Sequence, residues 1–157
     1  MRLTVGPLVL VALCALGLAP SAGAHPLARG LAAEGASLSL ENGRGTAAVY
    51  SRTGSLLGTL RRGRITVIDH PTGADTTVRF WGCEERRRPA PRQTVCIGQG
   101  LRVSVLNGAW QTTFKGRGVN ASAVAEGRLR LRGSRGTFEI DGVTRRWPAI
   151  FRTYVLD

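Results

Sequence analysis

Arginine offers most of the chemistry in this sequence, and it occurs in short clusters. Arg128, Arg130 and Arg132 alternate with leucines, so a β-strand would place the three guanidinium groups on one face. Two further clusters are formed by Arg61, Arg62 and Arg64 and by Arg86, Arg87, Arg88 and Arg92. Clustered cations attract polyanions. We predict anion binding at Arg128, Arg130 and Arg132 and at Arg61, Arg62 and Arg64; an arginine-rich solvated face without a partner is the alternative.

The net charge and the aromatic content indicate which classes of partner the protein binds. The chain of 157 residues has 22 basic and 10 acidic side chains, a formal charge of +12, and Lys115 is its one lysine. Aromatic residues make up only 6%, whereas single-stranded nucleic acid is held largely by stacking on aromatic side chains. We therefore expect an anionic envelope polymer or lipid headgroups as partner, and no nucleic acid. The oligomeric state is left open.

The two histidines, His25 and His70, are the candidate metal ligands. Cleavage of a leader after Ala24 makes His25 the first residue, and an N-terminal histidine binds Cu(II) through its amine and imidazole nitrogens, with His70 as second ligand. This arrangement resembles exported copper proteins built on β-sandwiches. A small secreted copper-binding protein or enzyme using His25 and His70 is the alternative function. Outside that alternative no cofactor is expected.

Motifs for catalysis are otherwise missing from the sequence. It has no GxSxG, HExxH, CxxC or P-loop pattern. Glu84 and Glu85 precede an arginine run, as in a solvated charged loop. Asp69-His70-Pro71 has the composition of a turn that ends a strand. We expect a non-catalytic protein and predict no catalytic residues.

The first 24 residues have the features of a cleaved export signal. Arg2 precedes the apolar run Leu8–Leu18, and Ala22-Gly23-Ala24 offers the small residues that signal peptidase requires. We predict a signal peptide over 1–24 and a secreted or cell-envelope protein. No transmembrane segment is expected in the mature chain, because the apolar run is shorter than the roughly 18 residues of a span.

Two cysteines, Cys83 and Cys96, follow the predicted leader. In an oxidising compartment an even number of cysteines favours a disulfide. Runs 77–81 and 94–97 on either side have the composition of strands. A bridge would clamp the ends of these two strands around a charged loop.

The rest of the chain alternates apolar and polar residues over short windows, which indicates strands with one buried face. We interpret six glycine-containing breaks as turns: Asn42-Gly43, Asn107-Gly108, Asp141-Gly142, Gly98/Gly100, Gly116/Gly118 and Gly133/Gly136. Such signals, about 8–12 residues apart, are typical of an all-β sandwich or barrel. We predict one antiparallel all-β domain over 36–157, a sandwich or a partly open barrel. Residues 25–35 precede it as an arm or one short helix.

Two segments, Gly58–Asp69 and Gly127–Asp141, echo each other as basic arms that end in aspartate. Two copies are too few for a solenoid, so we interpret the echo as similar hairpin chemistry. Glycine-punctuated runs, Lys115–Val119, Gly127–Gly133 and Gly136–Phe138 with Asp141-Gly142 and Trp147, resemble a group of small exported β-rich proteins of high-GC bacteria. The resemblance spans roughly residues 56–147; it implies an exported all-β domain, no particular activity and no site residues.

Overall fold

The computed structural model describes residues 35–157, which form seven strands and no helix. The strands are β1 (Ala36–Asp69), β2 (Thr77–Trp81), β3 (Glu85–Ala90), β4 (Gln93–Leu106), β5 (Trp110–Ile140), β6 (Val143–Arg146) and β7 (Arg152–Leu156). All pairs are antiparallel and belong to one sheet, so the predicted fold class is confirmed. A search of the same residues for a helix able to cross a membrane found none. The predicted leader, and the arm up to residue 34, lie outside the described residues.

Two very long strands, β1 with 34 residues and β5 with 31, build most of the sheet. Segment 36–51 of β1 pairs on one edge with 110–125 of β5 and on the other with 127–140. Segment 54–69 pairs with 110–125 and, across its other edge, with β4. The order across the sheet is therefore β2 and β3, β4, 54–69, 110–125, 36–51, 127–140, then β6 and β7. The sheet is not closed, and short strands form both of its edges.

Five glycines lie side by side across the middle of this sheet. Gly63 is opposite both Gly98 and Gly116, while Gly45 is opposite both Gly116 and Gly133. We call these five residues the glycine row. Gly63 has φ 144°, and a Cβ on it would come within 2.9 Å of the Gly116 Cα and collide with the carbonyl oxygen of Lys115. Glycine is required there because the backbones approach closely in a conformation that other residues rarely adopt.

The sheet bends at the glycine row, and its two halves face each other across the core. Phe114 lies on one side of the row and Gly58 on the other, yet a Cβ on Gly58 would collide with the Phe114 ring. The buried positions of β1 also change parity across the row, from Leu38 and Leu40 to Ala47 and Val49. Residues from both halves belong to one hydrophobic cluster. The architecture is an open sheet folded over itself into a sandwich.

The buried alternation predicted from the sequence is present along every long strand, but several predicted turns are wrong. Asn107-Gly108 and Asp141-Gly142 do form turns. Asn42-Gly43 and the pairs Gly98/Gly100, Gly116/Gly118 and Gly133/Gly136 instead lie inside β1, β4 and β5. Positive φ at a glycine or asparagine permits a bulge in a paired strand as readily as a turn. The echo segments likewise cross the row at Gly63 and Gly133. The end of the second segment, 137–140, is a hairpin arm that pairs with β6 across the Asp141-Gly142 turn, whereas Gly58–Asp69 does not pair with the strand that follows it.

Cys83 and Cys96 form the predicted disulfide, with their Cα atoms 5.3 Å apart. Cys96 is fully buried in β4, and Cys83 lies between the edge strands β2 and β3. The predicted strand over 77–81 is confirmed as β2. The predicted charged loop is wrong in part, because Glu85–Ala90 pairs with β4 as strand β3. Backbone pairing orders this segment although its side chains are exposed.

The glycine row predicts a sharp difference between two alanine substitutions. We expect Gly63→Ala to lower the free energy of unfolding by about 2–4 kcal/mol, because a methyl group there adds a steric collision to backbone strain. Gly100→Ala is the matched control: Gly100 has φ 61°, and a Cβ added to it would have no atom within 4 Å, so strain alone should cost about 1 kcal/mol. Denaturant unfolding measures both. Equal losses would contradict a steric requirement at the row.

The disulfide predicts a loss of stability on reduction. A closed loop of about 15 residues is worth roughly 3 kcal/mol in the chain-entropy model. We expect reductant to lower the melting temperature of the protein by at least several degrees, with a similar loss for the Cys83→Ser/Cys96→Ala variant. An unchanged melting temperature after complete reduction, checked by thiol titration, would show that the bridge does not stabilise the edge strands.

Candidate anion-binding surface

Four arginines stand in line across four neighbouring strand segments, directly beside the glycine row. Arg62 is opposite Arg117, Arg117 is also opposite Arg44, and Arg44 is also opposite Arg135. All four side chains are exposed. Neighbouring strands are about 4.8 Å apart, so each guanidinium group has another within reach. We call these four residues the arginine ladder.

The other flank of the glycine row is also basic. Arg64 is opposite Lys115, and Thr46 lies between Lys115 and Arg132 on the next strands. Arg64, Lys115 and Arg132 are exposed. Together with the arginine ladder they form what we call the cationic strip: Arg44, Arg62, Arg64, Lys115, Arg117, Arg132 and Arg135.

The glycines leave shallow clefts between these cations, because they carry no side chains. A cleft of about 540 Å³ lies over Gly45 and Gly116 and is bordered by cations from both flanks. A second, of about 560 Å³, lies beside the arginine ladder and reaches Asn42, Arg61 and Asn120. The strip is therefore a surface of accessible glycine backbone with positively charged side chains along both sides.

Carboxylates do not neutralise the strip. The ion pairs found among residues 35–157 are Arg52–Glu126, Arg87–Glu85 and Arg92–Asp69, none of which includes a residue of the strip. Like charges placed directly opposite each other on neighbouring strands destabilise a sheet. We therefore expect the ladder to lower the stability of the folded state, and its guanidinium groups have no ion-pair partner within residues 35–157.

The three arginines predicted as a row on β5 are exposed as expected, but they lie in two different parts of the surface. Leu129 and Leu131 are buried, whereas Arg128, Arg130 and Arg132 are exposed. Only Arg132 belongs to the cationic strip. The guanidinium carbons of Arg130 and Arg132 lie 4.5 and 5.5 Å from the centre of the Phe151 ring, within cation–π range. Arg128 and Arg130 line a separate surface depression of about 1200 Å³ that also includes His70.

The predicted cluster at Arg61, Arg62 and Arg64 lies at the strip. Arg62 and Arg64 flank Gly63, and Arg61 borders the second cleft. Four members of the strip were not predicted from the sequence: Arg44, Lys115, Arg117 and Arg135. The signal that identifies them is a basic residue next to four of the five glycines of the row, Gly98 being the exception: Arg44-Gly45, Arg62-Gly63-Arg64, Lys115-Gly116-Arg117 and Arg132-Gly133-Ser134-Arg135.

The third arginine cluster, at the edge of the sheet, has local partners. The Arg87 guanidinium donates a hydrogen bond to the Glu85 carboxylate, which raises the pKa of Arg87 above its ordinary value. The guanidinium carbon of Arg86 lies 5.6 Å from the centre of the Phe80 ring, and Arg92 lies 4.0 Å from Asp69. Arg86, Arg87 and Arg92 thus have local partners, whereas no residue of the strip forms an ion pair within residues 35–157.

The histidines give no metal site within the described residues. His70 is exposed in the loop after β1, and its backbone N–H donates to the carbonyl oxygen of Ala109 at 2.8 Å. That part of the chain holds no group of three or more metal-ligating side chains. His25 lies outside the described residues, so the copper pair His25 and His70 stays a prediction.

Searches of protein-family models, curated proteins and solved structures found no match to this chain. Within residues 35–157, the feature with the strongest chemical character is the cationic strip.

The arginine ladder predicts a gain in stability when its charge is reduced. At low salt we expect the Arg44→Gln/Arg117→Gln variant to be more stable than the wild type by about 0.5–1 kcal/mol, because cross-strand repulsion is removed. Near 1 M salt the difference should shrink as the Debye length falls to about 3 Å. Arg52→Gln is the control, since Arg52 pairs with Glu126 and its loss should bring no gain. Denaturant unfolding measures the stability of each protein at both salt concentrations. A double variant that is no more stable than the wild type at low salt would contradict the repulsion.

Proposed function

We propose that this domain is a non-catalytic binding protein that holds an extended anionic polymer along the cationic strip. The observation that carries the proposal is the arginine ladder, in which Arg62, Arg117, Arg44 and Arg135 stand opposite one another and no carboxylate of the described chain, 35–157, pairs with them. Repulsion within the ladder is relieved when anionic groups lie between the guanidinium groups. Guanidinium groups suit this role because they bind carboxylate and phosphate oxygens in a bidentate manner.

The shape of the strip favours a polymer over a small anion. The arginine ladder crosses four strand segments, which spans about 14 Å at the usual strand spacing. A single phosphate or carboxylate in the cleft over Gly45 and Gly116 contacts only the cations that border that cleft. A chain with repeated negative charges reaches the rest of the strip as well and releases its own counterions, which drives binding.

The proposal also includes the cellular compartment in which the protein acts. The chain begins with the features of an export signal, and the Cys83–Cys96 bridge suits an oxidising compartment. We infer that the protein acts outside the cytoplasm, where anionic envelope polymers are the natural partner class. Anionic lipid headgroups offer a similar charge density on a plane rather than along a chain.

Salt-dependent binding tests the proposal. With inorganic polyphosphate as a pure charge probe, we expect the logarithm of affinity to fall with the logarithm of salt concentration with a slope of roughly −3 to −6, as for several neutralised charges. The Arg44→Gln/Arg117→Gln variant should reduce that slope by about 1.5. The matched control is Arg86→Gln/Arg88→Gln, which removes the same charge from the edge of the sheet and should change the slope less.

Three outcomes contradict the proposal. The first is a wild-type protein that does not bind polyphosphate at about 50 mM salt, where screening is weak. The second is equal weakening of binding by both double variants, which would make the attraction a property of net charge alone. The third is binding to vesicles with anionic lipid but not to polyphosphate, which would assign the strip to a membrane surface.

A further inference from the structure

A groove on the outer face of the sheet begins beside the cationic strip. It has a volume of about 860 Å³ and crosses the strands from Trp81 on β2 to Glu41 on β1. Its residues are neighbours across the sheet: Trp81 is opposite Arg102, Arg102 is opposite Thr59, and Thr59 is opposite Asn120. The groove therefore runs perpendicular to the strands, as the arginine ladder does.

We propose that this groove binds sugar rings, and that the polymer held by the strip is an anionic polysaccharide. This inference rests on the proposed function and specifies its ligand class. Trp81 is 49% exposed at one end of the groove. An indole ring combines a flat apolar face with a polar N–H, and the C–H face of a pyranose ring packs against such a surface.

The polar groups of the groove suit a ligand with many hydroxyl groups. The hydroxyls of Ser39, Thr59 and Ser122 line the groove with the Arg102 guanidinium and the Glu41 carboxylate. None of these five side chains makes a hydrogen bond to another described residue. They offer both donors and acceptors, whereas a polyphosphate chain needs donors only.

The groove and the strip form a continuous surface. Asn42 and Asn120 line both the groove and the cleft beside the arginine ladder. They also fix each other, because the backbone N–H of Asn42 donates to Oδ1 of Asn120 at 2.9 Å. A polysaccharide bound in the groove therefore lies alongside the arginine ladder, with Asn42 and Asn120 between the two. Single-stranded nucleic acid is disfavoured, because successive bases need several stacking aromatics and Trp81 is the one aromatic residue that lines this groove.

Tryptophan fluorescence gives a direct test, because the three tryptophans differ in exposure. Trp110 and Trp147 are buried, and Trp81 is half exposed, so acrylamide quenching reports on Trp81. Polygalacturonate and inorganic polyphosphate serve as anionic polymers with and without sugar rings. We expect both to bind the full-length protein, and only polygalacturonate to reduce quenching, by about twofold or more given the large exposed face of the indole.

Variants separate the groove from the strip. We expect Trp81→Ala to weaken polygalacturonate binding about five- to tenfold, which is the effect of losing one aromatic contact, and to leave polyphosphate affinity unchanged. Trp81→Phe should retain most of the affinity. Because Trp81 lies on an edge strand, Ser122→Tyr provides a second variant: it fills the groove at an exposed strand position that tolerates aromatic residues, and it should have the same selective effect.

The outcomes distinguish this inference from the proposed function. If polygalacturonate binds without protecting Trp81, or if both variants leave its affinity unchanged, the groove does not bind sugar and the strip alone holds the polymer. Equal weakening of both polymers by these variants also overturns the inference. If neither polymer binds the wild type, the proposed function itself fails.

Discussion

The close approach of neighbouring backbones along the glycine row is the constraint on which the rest of the structure depends. A straight strand of the length of β1 would extend about 110 Å at 3.3 Å per residue, several times the diameter of a domain of this size. At Gly45, Gly63 and Gly116 the chain bends where any side chain would meet the next strand. The bend brings Phe114 over Gly58 and encloses one core between the two halves of a single sheet.

The same bend creates the surface chemistry. At the bend, most residues next to the glycines of the row are exposed. In four strand segments these residues include arginine or lysine. Sheet pairing then aligns Arg62, Arg117, Arg44 and Arg135, and no carboxylate among residues 35–157 forms an ion pair with them. Opposed like charges destabilise a sheet. The proposed anionic ligand would offset that repulsion.

Local pattern predicted the buried faces of the long strands β1, β4 and β5 but neither the short edge strands β3, β6 and β7 nor how the strands pair. Alternation placed Leu129 and Leu131 in the core and their arginine neighbours in solvent, because the period of two is a property of any strand. The pattern at Gly116 and Gly118 does not distinguish a turn from a bend within a strand, because positive φ occurs in both. The register of strand pairing could not be predicted from local pattern either. Arg44 aligns with Arg117 and Arg135 through pairs far apart in the sequence. Local alternation predicts only rows within one strand, such as Arg128, Arg130 and Arg132.

The most direct test of the account is a map of backbone amide chemical shifts as the protein is titrated with a short, defined anionic oligomer at low salt. The account predicts that the largest changes cluster on both flanks of the glycine row, at residues 44–46, 62–64, 115–117 and 132–135. These segments are distant in sequence and adjacent only because of the bend. Changes spread over all arginines, or centred on the edge cluster at Arg86–Arg88, would contradict the claim that the glycine bend builds the binding surface.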